Sequence, residues 1–576
     1  MSTKNKTSPS LILDGFRGVD HRFTHTDGQV AADLINFRIR DDRSLEKRPG
    51  FRFLADLGSP IRAFYKVISG GEECAYILAG NTVYSVNLVT GDKTVLGTVE
   101  TDSGSGCFFF CNNVPYLSDG LDLYLYNGTE FLPAEGYVPL IGKDWENDFV
   151  GEPYEPMNIL TRRVRISYRV STETPSIFMC AGRPIESVQA VYRNGIAVDP
   201  EQYYIDELFQ SVNVKGTRPG DQLEIYLTFV SACEELRQLF LSAKNAILFG
   251  GTNNHRLFFW GCDDPSVMFC SAYVSNEQLA ASSLHNDSAN DLYIPAGYEF
   301  RMGAMGHPIQ GCACHYDRLL IFTECDAWMA SADASGLEEF SLTVINTELG
   351  CASRDGVAAV GNYPVTLGRH SVYQWRQESD VPDRCNADRI SQEIDGILSP
   401  EEYVQSGLYY APYQNELWFY NRNSGTVWVR NLSGGNWYRF TGIHADQFFD
   451  AGGAVGFYRG SGLYVFDDSL DSDRVSETDL RPISASYVGS LADFGTETYK
   501  NLAAVTLWGD GSGALSMAFE REGGKEAEVL LLEQEAPAHR IRRKRISSGR
   551  FRYGRIKLSA PPGGRQVIHR LSLHTR

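Results

Sequence analysis

The sequence predicts an all-β protein: a β-propeller of about seven blades, interrupted by an inserted β-sandwich-like domain and followed by a C-terminal β-sandwich. Three observations carry this. Tyr (30), Phe (31) and Gly (55) are abundant and Met (8) is scarce, a mix that favours pleated strands joined by glycine turns. A hairpin grammar recurs: an alternating apolar strand, a turn of Gly, Asn or Asp, then a second strand ending in an aromatic. The recurrence has a spacing of roughly 35 to 50 residues once one interruption is set aside, as in a radial array of small antiparallel sheets.

The chain opens on a polar stretch, "MSTKNKTSPS", which lacks the apolar run of a signal peptide, and no segment holds the 18 or so consecutive apolar residues that cross a bilayer. A protein made in the cytoplasm and kept off the membrane is expected. Residues 1–60 read as an N-terminal arm and hairpin. Within them "AADLINFRIRDDRSLEKRPGFRFL" (31–54) carries six Lys/Arg against four Asp/Glu. Basic residues interleaved with Phe suit a nucleic-acid surface or a half-exposed hairpin. Leu34, Ile35, Phe37 and Ile39 lead to a polar DDR turn, and Leu45 starts a return strand that ends at Arg48-Pro49-Gly50, so the hairpin reading is preferred. The expected role of Asn36, Lys47, Arg48, Pro49 and Gly50 is a latch that holds the N-terminus on the propeller or on a neighbouring subunit.

Residues 61–135 hold the first propeller units, "CAYILAGNTVYSVNLVTGDKTVLG" (74–97) and "CFFFCNNVPYLSDGLDLYLYNGTEF" (107–131). Residues 136–233 form the interruption. Its proline-punctuated start is followed by a stretch with an NG turn, a PGD turn and alternating Val, Tyr and Ile, which describes a compact antiparallel domain inserted between blades. Such an insertion costs the propeller little because its ends stay close together. Residues 234–470 resume the units at 246–261, 314–330, 365–375, 407–431 and 453–467. Each small sheet has two apolar faces, and stacking the sheets around an axis buries both. Residues 471–576 read as longer strands with a Pro-Pro-Gly-Gly turn, which suits a terminal sandwich. In "FRYGRIKLS", Phe551, Tyr553, Ile556 and Leu558 face a core while Arg552, Arg555 and Lys557 face away.

Charge is uneven. The formal net charge is -19, yet residues 536–576 carry twelve Lys/Arg and no Asp/Glu, which leaves -31 on the rest. The expected picture is a basic patch on one solvent-facing side of a sheet, attached to an acidic body.

Catalytic motifs are weak. "SADASGLEEF" from Ser331 misplaces the Gly of a sialidase turn and lacks its Trp, "DFG" at Asp493 has no kinase companions, and "GDGSG" (509–513) has the wrong spacing for a dinucleotide loop. The pairs Asp263-Asp264 and Glu401-Glu402 read as solvated turns. His21 with His25, and Cys312 with Cys314 and His315, have no further ligands in sequence, and the twelve cysteines form no CxxC pair, so buried reduced thiols are expected. No catalytic, cofactor or metal site is therefore assigned, and the chain is read as a non-enzyme.

Several segments together resemble the tail hub or nozzle proteins of short-tailed bacteriophages, relatives of the packaged-DNA stabilisation proteins. These are "GFRGVD", then "AADLINFRIRDDRSLEKRPGFR" with Ala32, Asn36 and Lys47-Arg48-Pro49-Gly50, followed by "GEPYEPMNILTRRVR", "HRLFFWG" and "SLADFGTETYKNL". The resemblance covers the whole chain as pattern and implies a virion structural protein, a hexameric ring below the portal or its adaptor, with DNA retained by and then ejected through the ring axis. It also implies that the insertion serves as a platform for neighbouring tail proteins and that the C-terminal sandwich contacts the next ring. An acidic body suits a sleeve that does not grip phosphates, and a basic end suits an acidic partner. Arg540, Arg542, Arg543, Lys544, Arg545, Arg550, Arg552 and Arg555 are the residues expected at that contact with a tail partner or neighbouring subunit. The alternative reading is a secreted or surface glycan-binding propeller, favoured by the Tyr/Trp-rich blades. A propeller hydrolase comes third, since no motif supports it.

Overall fold

The computed structural model describes every residue except 1–9, 23–28, 148, 172–176, 251–254, 286–289, 303–305, 333–339, 378–384, 496 and 534–539. Seven four-stranded antiparallel sheets form a β-propeller. Blades 1 and 2 span 61–98 and 107–133, blades 3 to 6 span 245–301, 309–346, 357–389 and 406–440, and blade 7 takes three strands from 447–467. All seven hairpin units read from the sequence fall in separate blades.

Turn chemistry explains the hairpins. In blade 2, Asn112 and Asn113 both adopt positive φ (45° and 66°) between the paired residues Cys111 and Val114. That is the two-residue turn whose twist matches the flanking strands, and Asn tolerates it better than most side chains.

The first strands of consecutive blades touch in order around the ring, so they line its axis. Each seam has its own apolar filling. Ala63, Leu78, Phe108 and Leu117 lie between blades 1 and 2, and Phe258, Met268, Ile309 and Leu319 between blades 3 and 4. Between blades 7 and 1, Ala55, Ile77, Phe449 and Leu463 close the ring, with Phe64 stacked on Phe449 at 4.6 Å. Each fully buried side chain of this size is worth roughly 1.5–3 kcal/mol, so the seams are the main source of propeller stability.

The insertion between blades 2 and 3 pairs a five-stranded with a three-stranded sheet over Trp145, Ile166, Tyr168, Phe178, Val212 and Ile225. Its NG turn forms as expected, with Asn194 (φ 50°) and Gly195 (φ 79°) between the paired Arg193 and Ile196. A helix, Glu234–Leu241, then returns the chain to blade 3 and buries Phe240 and Leu241 in the seam between blades 2 and 3.

The two chain ends are built together. N-terminal strands β1 (Ser10–Leu13), β2 (Ala31–Ile35), β3 (Phe37–Ile39), β4 (Leu45–Lys47) and β5 (Gly50–Asp56) do not form a separate arm. β5 is the fourth strand of blade 7, paired with Gly462–Asp467. β1 and β4 pair with the C-terminal strand Gln566–Thr575. β2 lies between the outer strand of blade 6, Trp437–Phe440, and Ala485–Gly489, so one sheet runs without a break from blade 6 into the sandwich. The sandwich is thus made from both ends of the chain around Val505, Leu507, Met517, Phe519, Ile556, Leu558 and Leu571.

Eleven cysteines are free and seven of them are buried; the twelfth, Cys385, has its side chain outside the described residues. Glu401 and Glu402 belong to a short helix rather than a solvated turn, where Glu402 closes a capping box with Ser399.

Candidate interaction surfaces

The Asn36–Gly50 segment forms a seam between propeller and sandwich. Asn36 has a left-handed backbone (φ 55°), which Asn tolerates. Its amide donates to the Ser484 carbonyl (2.8 Å) and to Thr441 (3.1 Å), while its oxygen accepts from the Thr441 backbone (2.9 Å) and Arg48 Nε (3.1 Å). Arg48, only 2% exposed, uses all five donors. Nε bonds Asn36, the two terminal nitrogens hold Asp473 bidentately at 2.8 and 2.7 Å, and the remaining hydrogens reach the carbonyls of Pro49 and Thr441.

Lys47 is fully buried and donates to the carbonyls of Pro561 and Gly564 at the Pro-Pro-Gly-Gly turn; burial pushes its pKa down. Glu46 is clasped by Arg38 at 2.8 Å and Arg565 at 2.6 Å. Gly50 is required sterically, since a Cβ there would sit 2.0 Å from the Ser472 carbonyl oxygen. Arg48 and Lys47 are therefore not the solvated residues of a half-exposed hairpin. Partners hundreds of positions away draw them into the interior.

The C-terminal cations are placed differently. Arg540–Arg545 is an edge strand paired only with Lys500–Gly511 in its sheet. Arg542, Arg543 and Arg545 are exposed, as is Ile541, and Lys544 lies 3.9 Å from Glu533; the Arg540 side chain is outside the described residues. Charges on an edge strand discourage indiscriminate pairing of strands. Arg550 is exposed and Arg552 lies over the Tyr499 ring at 4.6 Å. Arg555 belongs to the other sheet of the sandwich and is held bidentately by Glu520 (2.9 Å twice), beside Lys557, which bonds Glu520 and Glu526. The expected single basic face is thus split between two sheets, because the chain crosses the sandwich between Phe551 and Gly554, and Arg555 is neutralised. Lys557 and Arg555 hold the Glu520 carboxyl below the usual range.

The junction of blades 6, 7 and 1 encloses a cavity of about 410 Å3 lined by Trp418, Phe440, Phe466, Arg38, Pro49 and Glu416. Burial pushes the Glu416 carboxyl up, although Tyr438 Oη (2.6 Å) and Trp418 Nε1 (2.9 Å) both donate to it. Arg38 is engaged by Glu46, Arg52 by the Val89 carbonyl and Gln414 by the Gly453 carbonyl. Its polar lining is self-satisfied and presents no poised acid, base or nucleophile.

Among the described residues no three His, Cys, Asp or Glu side chains gather as a metal site, and no helix is long and apolar enough to cross a membrane. His25 and most of "SADASGLEEF" lie outside the described residues. The partners Asp473, Thr441 and Arg565 were not visible in sequence, since nothing local marks them.

No family model and no curated protein matches the chain. Among solved structures, the AfRom2 CNH domain is similar at 6% identity over 73% of this chain and 99% of that one, with a TM-score of 0.34. A chain of the mitotic checkpoint complex aligns at 10% identity over 81% and 97%, with a TM-score of 0.32. The extracellular domain of the putative one component system BT4673 from B. thetaiotaomicron aligns at 8% identity over 96% and 83%, with a TM-score of 0.26. Likenesses this weak carry no functional argument, and the propeller stands on its own strand pairing.

Proposed function

We propose that this chain is a structural protein of a short-tailed phage tail, a hub or nozzle subunit that assembles into a ring around the path of DNA. It works by holding shape and contacts, not by catalysis. The observation that carries the reading is the contrast between a body of charge -31 and an exposed cationic edge strand at Arg540–Arg545. An acidic sleeve repels the phosphates it must let pass, and a cationic rim steers a negatively charged protein surface into place. The resemblance of "AADLINFRIRDDRSLEKRPGFR" and its companion segments to nozzle proteins supplies the setting. In that setting the insertion faces other tail parts, the sandwich meets the portal or adaptor side or the next ring, and the partners are copies of the same chain, six per ring.

Native mass spectrometry of the purified chain, alone and with candidate portal or adaptor rings, tests this together with cryo-EM of particles. The expected result is a closed oligomer located in the tail. A chain that stays monomeric under all these conditions and is missing from particles overturns the proposal.

A further inference from the structure

The propeller axis holds a second cavity, of about 190 Å3, where the first strands of five successive blades begin. Asn245 opens the first strand of blade 3, Val357 that of blade 5 and Gln447 that of blade 7. Gly311 of blade 4 permits the close approach, for a Cβ there would meet Val357 at 2.6 Å.

The lining is rich in hydrogen-bond donors that the protein does not use. The Trp260 side chain is only 8% exposed, and its buried indole nitrogen has no partner; an indole N–H can only donate. Arg354 is exposed at the mouth and makes no ion pair or hydrogen bond among the described residues. Gln447 uses its oxygen to accept from Tyr458 at 3.0 Å, which leaves its NH2 group to donate. The one carboxylate in the lining, Asp355, is already neutralised by an ion pair with Arg422. Unused donors around an uncompensated guanidinium select an acceptor with negative charge.

We infer that this channel mouth is a binding site for a carboxylate, taken between the Arg354 guanidinium and the Trp260 indole N–H. Arginine binds carboxylates through paired, charge-assisted hydrogen bonds, and these strengthen where water is thinned out. Sites for drug-sized ligands run to roughly 300–1,000 Å3, so a cavity of about 190 Å3 suits a small carboxylate or the tip of an acidic side chain. The inference does not depend on the tail reading, since it rests on the axis of the propeller alone.

The full chain labelled with 5-fluorotryptophan gives one fluorine resonance for each of its eight tryptophans, and Trp260→Phe assigns the relevant one. Succinate and a short peptide ending in Asp-Glu are titrated at matched ionic strength, with chloride as the control. The Trp260 resonance is expected to shift saturably while the other seven stay in place. Arg354→Gln, at an exposed position, is expected to weaken binding at least tenfold while leaving those seven resonances where they were. Saturation by succinate identifies a free small carboxylate as the ligand, and saturation by the peptide alone identifies a partner chain. No shift with either probe up to about 10 mM, the weak end of specific affinity, overturns the inference. An equal response to chloride (an adventitious ion only), or binding unaffected by Arg354→Gln, overturns it as well.

Discussion

Two basic runs of similar composition, the KRPG segment near the N-terminus and the RIRRKR strand near the C-terminus, have opposite fates. Arg48 and Lys47 are buried with every donor engaged or directed at a carbonyl, whereas Arg542, Arg543 and Arg545 stand in solvent. What separates them is the supply of acceptors. The N-terminal run meets Asp473, Asn36 and a set of turn carbonyls, while the C-terminal run lies on an edge where only Glu533 comes near Lys544. The first run works as an internal joint, and the second is free to act outward.

The sharpest way to break this contrast is Arg48→Ala. It leaves the Asp473 carboxylate buried without its partner, a situation that costs roughly 3–5 kcal/mol. Urea or thermal unfolding should register the loss, and the double variant with Asp473→Ala should recover part of it. A change under about 1 kcal/mol would mean that the joint does not hold the two domains together.

A second comparison sets two acids against each other by pH. Glu416 is raised by burial, so its contribution is present at low pH and is lost as pH rises from the usual carboxylate range through its folded value. Glu520 is lowered by Lys557 and Arg555, so its contribution is present at neutral pH and is lost as pH falls through its depressed folded value. Glu416→Gln should therefore flatten the loss of stability above the usual carboxylate range, and Glu520→Gln should flatten the loss on the acid side. Unfolding midpoints across pH 3 to 8, the span over which carboxylates and their displaced forms titrate, read both (order-of-magnitude window, about five units).

The smallest effects on stability belong to the exposed cations. Arg555→Ala breaks a partly exposed pair and should cost up to about 1 kcal/mol. Charge reversal at Arg542, Arg543 and Arg545 should change stability by no more than about 0.5 kcal/mol each, yet prevent ring stacking or partner docking in native mass spectrometry. Unchanged assembly would reduce that strand to a solvated edge.

Which parts were legible follows from the range of the interactions. The blades were readable because each is written locally: Asn112-Asn113 makes its own turn, and alternation in "CFFFC" or "LWFYN" marks a strand without reference to the rest. The joint was not, because Arg48 and Asp473 are 425 positions apart and nothing local distinguishes a buried arginine from a solvated one. The C-terminal basic run was visible as composition only. Composition cannot say that the chain changes sheets near Tyr553, and that change separates Arg555 from the edge strand. The channel donors were hidden for the same reason, since Trp260 and Arg354 come from different blades and meet only on the axis.

Strand β5 sets the order of assembly. Blade 7 is made of one strand from near the start of the chain and three that follow some four hundred residues later, so the ring stays open until nearly all of the propeller has been synthesised. Loop-closure entropy grows only slowly with length, so the wait is kinetic more than thermodynamic. In the meantime β5 and the last propeller strand expose unpaired edges, each able to pair with the matching strand of another copy. At high local concentration the same closure can therefore be made between chains, and exchange of the N-terminal strand is the misassembly this architecture must outrun.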